Sequence, residues 1–359
     1  MTRLKQRIVS LIDATGPISV SEYMAICLFD PEHGYYTTRN PFGVAGDFTT
    51  APEVSQMFGE LVAVWLLSAW QAAGCPAAPV LAEIGPGRGT LMKDVLRVLA
   101  RLDPALTANV ALIETSPRLR QVQKTTLGQS AVEISWHESV ATLPQAPLFI
   151  VGNELFDAIP TRQFVKVGAD WRERSIGISD DGALAFVAGS AAIESALLPA
   201  EAATAPEGAI FELAPARTAT MELVAERIAA HGGAGLFFDY GHLRPGIGDT
   251  LQALRKHQFE DVLASPGEAD LTSHVDFAAL ATAARVHGLE AQLATQGDFL
   301  LAMGLIERAG RLGATAEDQG REKLQSEVER LAGPDAMGDL FKVIAIARPG
   351  TKPPFPAVS

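Results

Sequence analysis

The chain has 359 residues, 48% of them hydrophobic and 20% charged, which is enough for a full core and a second lobe. Its net charge of −13 argues against a protein that tracks nucleic-acid phosphates, and its two cysteines, Cys27 and Cys75, are too few for a disulfide framework or a zinc knuckle. No apolar run reaches the roughly 18 residues of a spanning helix, and the basic start MTRLKQRIVSLIDA lacks the apolar stretch of a secretion signal.

In chain order, residues 3–14 have helical spacing that ends near Gly16-Pro17. Ser19, with Glu22 three residues on, predicts a capping box for a second helix that Pro31 stops. Residues 30–53 mix aromatics, turn formers and acids without a period, and a long irregular stretch in a compact domain is more often a lid or a site than an idle connection. Helical spacing resumes over 55–73, and Gly74-Cys75-Pro76 closes that lobe. Both thiols are expected in the core of a protein from a reducing compartment.

Next, Val80-Leu81-Ala82 carries one acid, Glu83, and breaks into Gly85-Pro86-Gly87-Arg88-Gly89 before a helical stretch over 91–99. Strand, glycine loop and helix in that order let a ligand lie against backbone N–H groups at a helix N-terminus. The dinucleotide fingerprint wants glycine at its first, third and sixth places; here the third glycine comes at the fifth place and Thr90 occupies the sixth. The loop therefore resembles the GxGxG loop of S-adenosylmethionine methyltransferases more than a nicotinamide site, and Glu83 suits a cationic ligand while repelling a pyrophosphate. A plain glycine turn is the alternative.

Residues 109–115 form a second apolar strand ending in Glu114, placed to accept both ribose hydroxyls of a nucleoside. A helix begins at 117, and a third strand over 131–136 ends in His137-Glu138-Ser139, near where an adenine would sit; a solvated turn is the alternative. The fourth strand, 148–152, runs into Asn153-Glu154-Leu155-Phe156-Asp157. By strand order that loop falls opposite the cofactor's reactive end, which assigns it to substrate handling; the alternative is a helix N-terminus with acids favoured by the dipole. Alternation over 163–189 predicts an antiparallel β insertion, 191–209 a peripheral loop, 217–231 a helix and 235–240 a fifth strand. Thr272 or Ser273 is the expected cap of a further helix, 289–294 is strand-like, 299–312 and 317–331 are helical, and 341–347 is a last buried strand. The order predicts an α/β, doubly wound Rossmann-like sheet. The expected divisions are a helical lobe and lid over 1–75, core over 76–160, a β insertion and helix over 161–231, and core with a helical insertion over 232–359.

With these stretches in view, the chain resembles the MidA-type S-adenosylmethionine methyltransferases, relatives of the mitochondrial complex I assembly factor that methylates a protein arginine. The resemblance rests on YMAICLFDPEHGYY, NPFG, GDFTTAPEVSQMFGEL, EIGPGRGTLMKD, IETSPRLR, GNELFDAIP, FFDYGH, DLTSHVDF, TQGDFLLAMG and MGDLFKVI, spread over residues 23–344. Asn40 departs from it, standing where many relatives are expected to carry aspartate. The resemblance implies cofactor binding by Glu83, Gly85, Gly87, Gly89 and Glu114, an active-site loop at Asn153, Glu154 and Asp157, and closure of residues 46–53 over the cofactor. An arginine acceptor stays protonated and is best held by carboxylates, which makes Glu154 and Asp157, with Glu53 as a third, the expected grip. No metal is needed. The expected partner is a protein, such as a respiratory complex I subunit, without nucleic acid; the expected location is the cytoplasm of a bacterium or the mitochondrial matrix of a eukaryote. An assembly chaperone that retains S-adenosylmethionine, and a small-molecule O- or N-methyltransferase, are the rival readings.

Overall fold

The structure, a computed structural model, describes residues 2–38 and 49–356. Its described residues fall into two compact units, interleaved along the chain. One lies within Met1–Phe48, Phe156–Thr218 and Arg244–His274, the other within Thr49–Leu155, Ala219–Leu243 and Val275–Ser359.

The second unit is built on a central sheet. Its main strands are β1 (Val80–Ile84), β2 (Asn109–Ile113), β3 (Ile134–His137), β4 (Leu148–Asn153), β5 (Gly233–His242), β6 (Glu290–Thr295) and β7 (Phe341–Ala347). Among the described residues they run in the order β6-β7-β5-β4-β1-β2-β3. The five from β3 to β5 are parallel, and β7 is antiparallel to both neighbours. The chain starts at β1, in the middle, winds outward to β3, then crosses back to β4; ligands of such sheets bind at that reversal, beyond the carboxyl ends of the strands. β1 is buried at every position, and β4 likewise, because helices cover both faces of a parallel sheet. The helix Gln56–Ala72 buries Met57, Phe58, Leu61, Trp65 and Leu66 in this core, and Thr90–Leu102 adds Leu91, Val95 and Leu99. This is the α/β doubly wound fold expected from the sequence.

The first unit packs the helices Arg3–Thr15 and Val20–Phe29 with an antiparallel sheet. Leu4, Ile8 and Ile12 line the buried face of the first helix, and the Ser19–Glu22 capping box forms in both directions at the start of the second. The alternating segment pairs as Arg162–Val167, Asp170–Ile178 and Leu184–Ala192, joined by Ile210–Leu213.

Three local expectations fail. The stretch 299–312 is two helices, Gln296–Ala302 and Leu305–Gly313, because Gly304 sits at φ +92° between them. The helix Phe277–Val286 is capped by Asp276, whose Oδ1 accepts the Ala279 N–H at 3.0 Å; Thr272 belongs to a short strand instead. Cys27 is a core thiol, pushed up to about 12 by burial, but Cys75 is exposed in a turn at φ +52°.

Candidate active site

The glycine loop follows β1 as the strand–loop–helix pattern requires. Gly85, Gly87 and Gly89 all take positive φ, at 65°, 50° and 81°. A Cβ on Gly85 would also stand 2.9 Å from Leu155 Cδ1, so both backbone and space exclude a side chain there. Gly89 is the N-cap of the helix Thr90–Leu102 and leaves no side chain over that helix N-terminus.

Glu83 is the fourth residue of β1 and only 3% exposed. Burial pushes its carboxyl from 4.5 up to about 8, with a hydrogen bond from the Met92 backbone opposing the rise. Among the described residues no donor reaches its Oε2. The same holds for Asn153 Oδ1 at the end of β4 and for Glu53 Oε2. Glu83 pairs in register with Val151, two residues before Asn153, so Glu83 and Asn153 fall on one face of the sheet. Three buried acceptor atoms without donors cost free energy unless a donor-rich group fills the space.

Glu114, just past β2, is held from two sides. Its Oε1 accepts the Ser116 N–H at 2.8 Å and its Oε2 the Gln123 amide at 3.1 Å. Burial raises its carboxyl above the ordinary value, and those donors oppose the shift. Arg120 ties this corner to β3: Nε donates to the Glu114 carbonyl at 2.7 Å and Nη2 to that of His137 at 3.4 Å. Both His137 ring nitrogens already face hydroxyls, Thr142 Oγ1 and Ser135 Oγ, each at 3.1 Å. Glu138 is largely solvent-exposed, 3.7 Å from Arg120.

At the end of β4 the backbone is strained. Glu154 takes φ +52°, a region costly for any residue with a Cβ. Its N–H donates to the Phe238 carbonyl on β5 at 2.9 Å. Its Oε1 accepts the Asn153 amide at 3.0 Å and, at 3.4 Å, the Ala51 N–H at the start of the short helix Ala51–Val54. Glu53 in that helix pairs with Arg88 of the glycine loop at 3.3 Å. Asn153, Glu154, Glu53 and the loop thus share one unit with Glu83 and Glu114. Residues 46–48 of the expected lid, and Asn40, lie outside the described residues.

Asp157 belongs to the first unit, where its carbonyl accepts from Arg217 Nη2 at 3.0 Å. The buried Arg217 also donates to the Ile159 and His274 carbonyls and to Ser273 Oγ at 2.6 Å, which fixes the 157–159 segment. In the same unit Tyr36 donates to Asp270 Oδ2 at 3.1 Å; burial, then the charges of Asp270 and Asp157, hold its phenol well above the usual range.

Sequence reasoning missed three side chains here: Gln123, Arg217 and Asp239. Asp239 on β5 is fully buried and accepts the Leu155 N–H at 3.1 Å, fixing the loop after β4. An acid inside GLFFDY was the signal for it.

The residues present fit S-adenosylmethionine: an orphaned buried carboxylate for its ammonium, a glycine cradle that a Cβ would obstruct, and a pinned acid for its ribose. Residues 61–295 match the family described as S-adenosyl-L-methionine-dependent methyltransferases. A protein arginine methyltransferase NDUFAF7, mitochondrial, from Danio rerio is 35% identical over 367 residues, covering 95% of this chain and 86% of its own. The Homo sapiens protein of the same name is 34% identical, over 96% and 83%. A Burkholderia thailandensis protein crystallised with S-adenosyl-homocysteine superimposes with a TM-score of 0.83 at 31% identity, over 98% of this chain and 93% of that one. This chain belongs to the S-adenosyl-L-methionine-dependent methyltransferase family.

Proposed function

We propose that this methyltransferase modifies an arginine of a protein substrate, a subunit of respiratory complex I. The observation that carries the reading is the trio of buried acceptors without donors, Glu53 Oε2, Glu83 Oε2 and Asn153 Oδ1, beside the strained Glu154. Such a set favours groups that bear N–H and positive charge, and a guanidinium presents five donors and no acceptor. The relatives named as protein arginine methyltransferases, which match this chain nearly end to end, support the same substrate class.

S-adenosylmethionine, when bound, supplies a methyl group on a sulfonium, open to in-line displacement. The chain's own work is to position and to exclude water. Glu83 holds the ammonium, Glu114 the ribose hydroxyls, and Gly85, Gly87 and Gly89 let the ligand approach the backbone, with His137 and Glu138 flanking the adenine end. Glu154, with Asn153 hydrogen-bonded to it and Glu53 on the short helix whose first N–H it accepts, grips the substrate guanidinium, and a carboxylate takes the proton that the nitrogen loses. The location follows the source, the cytoplasm in a bacterium or the mitochondrial matrix in a eukaryote; the relatives are named as mitochondrial. Among the described residues no helix is long and apolar enough to cross a membrane.

The test is Glu154→Gln, which keeps an acceptor for Ala51 and Asn153 but removes the charge. Affinity for S-adenosylmethionine should stay within about threefold, while methyl transfer to a complex I subunit, read by mass spectrometry of its arginines, falls by about 100-fold or more. Unchanged turnover, or transfer to free metabolites alone, refutes the assignment.

A further inference from the structure

Gln123 lies on the helix Pro117–Leu127 and is completely buried. Its amide makes three hydrogen bonds, and one of them dictates the other two. An indole N–H only donates, so the 2.9 Å contact from Trp136 Nε1 makes Oε1 the acceptor. Nε2 is thereby turned to two acceptors, the Gly87 carbonyl at 2.8 Å and Glu114 Oε2 at 3.1 Å. The side chain also packs under the end of the loop, since a Cβ on Gly89 would lie 3.6 Å from Gln123 Cγ.

We propose that Gln123 is a positioning residue for the methyl donor: its amide, oriented by Trp136 and anchored on the Gly87 carbonyl, locks the carboxylate of Glu114 in place. The proposal rests on Glu114 being the ribose acid. With Glu114 pinned by Gln123 and Ser116, its oxygens meet the two ribose hydroxyls already aimed, and no rotamer freedom is lost on binding. The Gln123 donor also opposes the upward push of burial on that carboxylate, next after the Ser116 N–H.

The experiment measures calorimetric affinities of the full chain for S-adenosylhomocysteine and its 2′-deoxy counterpart, in the parent, Gln123→Met, Glu114→Gln and the double variant. Gln123→Met conserves volume and removes all three bonds. Loss of a donor to a charged group should weaken S-adenosylhomocysteine about 10- to 100-fold. The 2′-deoxy ligand should change less than about threefold, and the double variant should bind no worse than Glu114→Gln alone. Equal weakening of both ligands, or unchanged affinity for S-adenosylhomocysteine, overturns the role of Gln123. A Glu114→Gln protein that discriminates the two ligands as strongly as the parent overturns the ribose assignment, and this proposal with it. Should Gln123→Met not fold, Gln123→Glu retains the acceptor for Trp136 and places a second acid against Glu114, where one shared proton restores the bond. Relative to the parent, its affinity should then improve by about tenfold or more from pH 8 to pH 6; a ratio to the parent that is flat across that range overturns the proposal.

Discussion

On the proposed contact with the donor's ammonium, Glu83 makes donor binding a proton-linked event. Its carboxyl is nearly inaccessible and moves from 4.5 to about 8. That displacement corresponds to about 5 kcal/mol between its two protonation states. The folded pKa lies above the unfolded one, so the ligand-free fold holds the proton more tightly than the unfolded chain. Its stability is therefore undiminished below about pH 4.5 and declines as pH rises toward about 8, flattening beyond. At pH 7 about nine-tenths of Glu83 is neutral in the ligand-free protein. If the ligand's ammonium rests on the orphaned Oε2, the bound form is ionised and about 0.9 proton is released. The assay is calorimetric titration of S-adenosylmethionine at pH 7 in phosphate and in Tris, whose ionisation enthalpies differ widely. The apparent enthalpies should differ by about 0.9 of that gap, and affinity should rise about 50-fold from pH 6 to pH 8, the slope flattening toward 8. Glu83→Gln should abolish both dependences and bind more weakly. Identical enthalpies in the two buffers, with equal affinity at pH 6 and 8, would refute the contact between Glu83 and the ligand's cation.

Other outcomes follow from charge and backbone. Glu60, nearly buried, accepts from Arg308 at 2.6 Å and Arg97 at 3.0 Å. Burial pushes its carboxyl up, but the two guanidiniums overcome that and leave it below the ordinary value. Asp94, where burial and the charge of Glu60 outweigh Arg97 and Lys93, stays above its own. Glu60→Gln should cost about 3 kcal/mol at pH 7 in urea denaturation. Because the folded pKa is depressed, the deficit should shrink as pH falls below about 4.5; a constant deficit down to pH 3 rejects the charge argument. Gly85→Ala meets both a left-handed φ and Leu155 Cδ1 at 2.9 Å, whereas Gly89→Ala meets the φ but only ordinary contacts of 3.5 Å and beyond. Gly85→Ala should cost about 2–3 kcal/mol and Gly89→Ala about 1 kcal/mol. Melting temperatures in the reverse order would count against the loop geometry.

What the sequence disclosed and what it hid divide by the range of the contacts. Buried parallel strands announce themselves as apolar runs, so Val80–Ile84, Leu148–Asn153 and Phe341–Ala347 were legible within a residue or so, and three glycines after the first could only be a loop. The break at Gly304 and the cap at Asp276 went unread because neighbouring candidates, a continuous helical stripe and a Thr-Ser pair, satisfied the same local rules. The supporting side chains were hidden for a different reason. Asp239 stands amid Leu236, Phe237 and Phe238, and Gln123 occupies the buried helical stripe between Leu119 and Leu127. A polar group on an apolar stripe is costly unless bonded, so its presence predicts a buried partner. It does not say which one: Asp239 holds Leu155, 84 positions away, and Gln123 joins a loop carbonyl, an acid and an indole on three separate elements. Residues expected to touch ligand are picked out by their type and their place at strand ends, whereas the side chains bonded to them emerge only once the sheet order has brought distant strands together. Glu114, Glu83 and Asn153 come from the neighbouring strands β2, β1 and β4, about 4.8 Å apart at each step, a row of about 10 Å. In the proposed site that row takes the ribose at Glu114, the ammonium at Glu83 and the acceptor at Asn153 in turn, which ties the site to the order of the strands and not to any single motif.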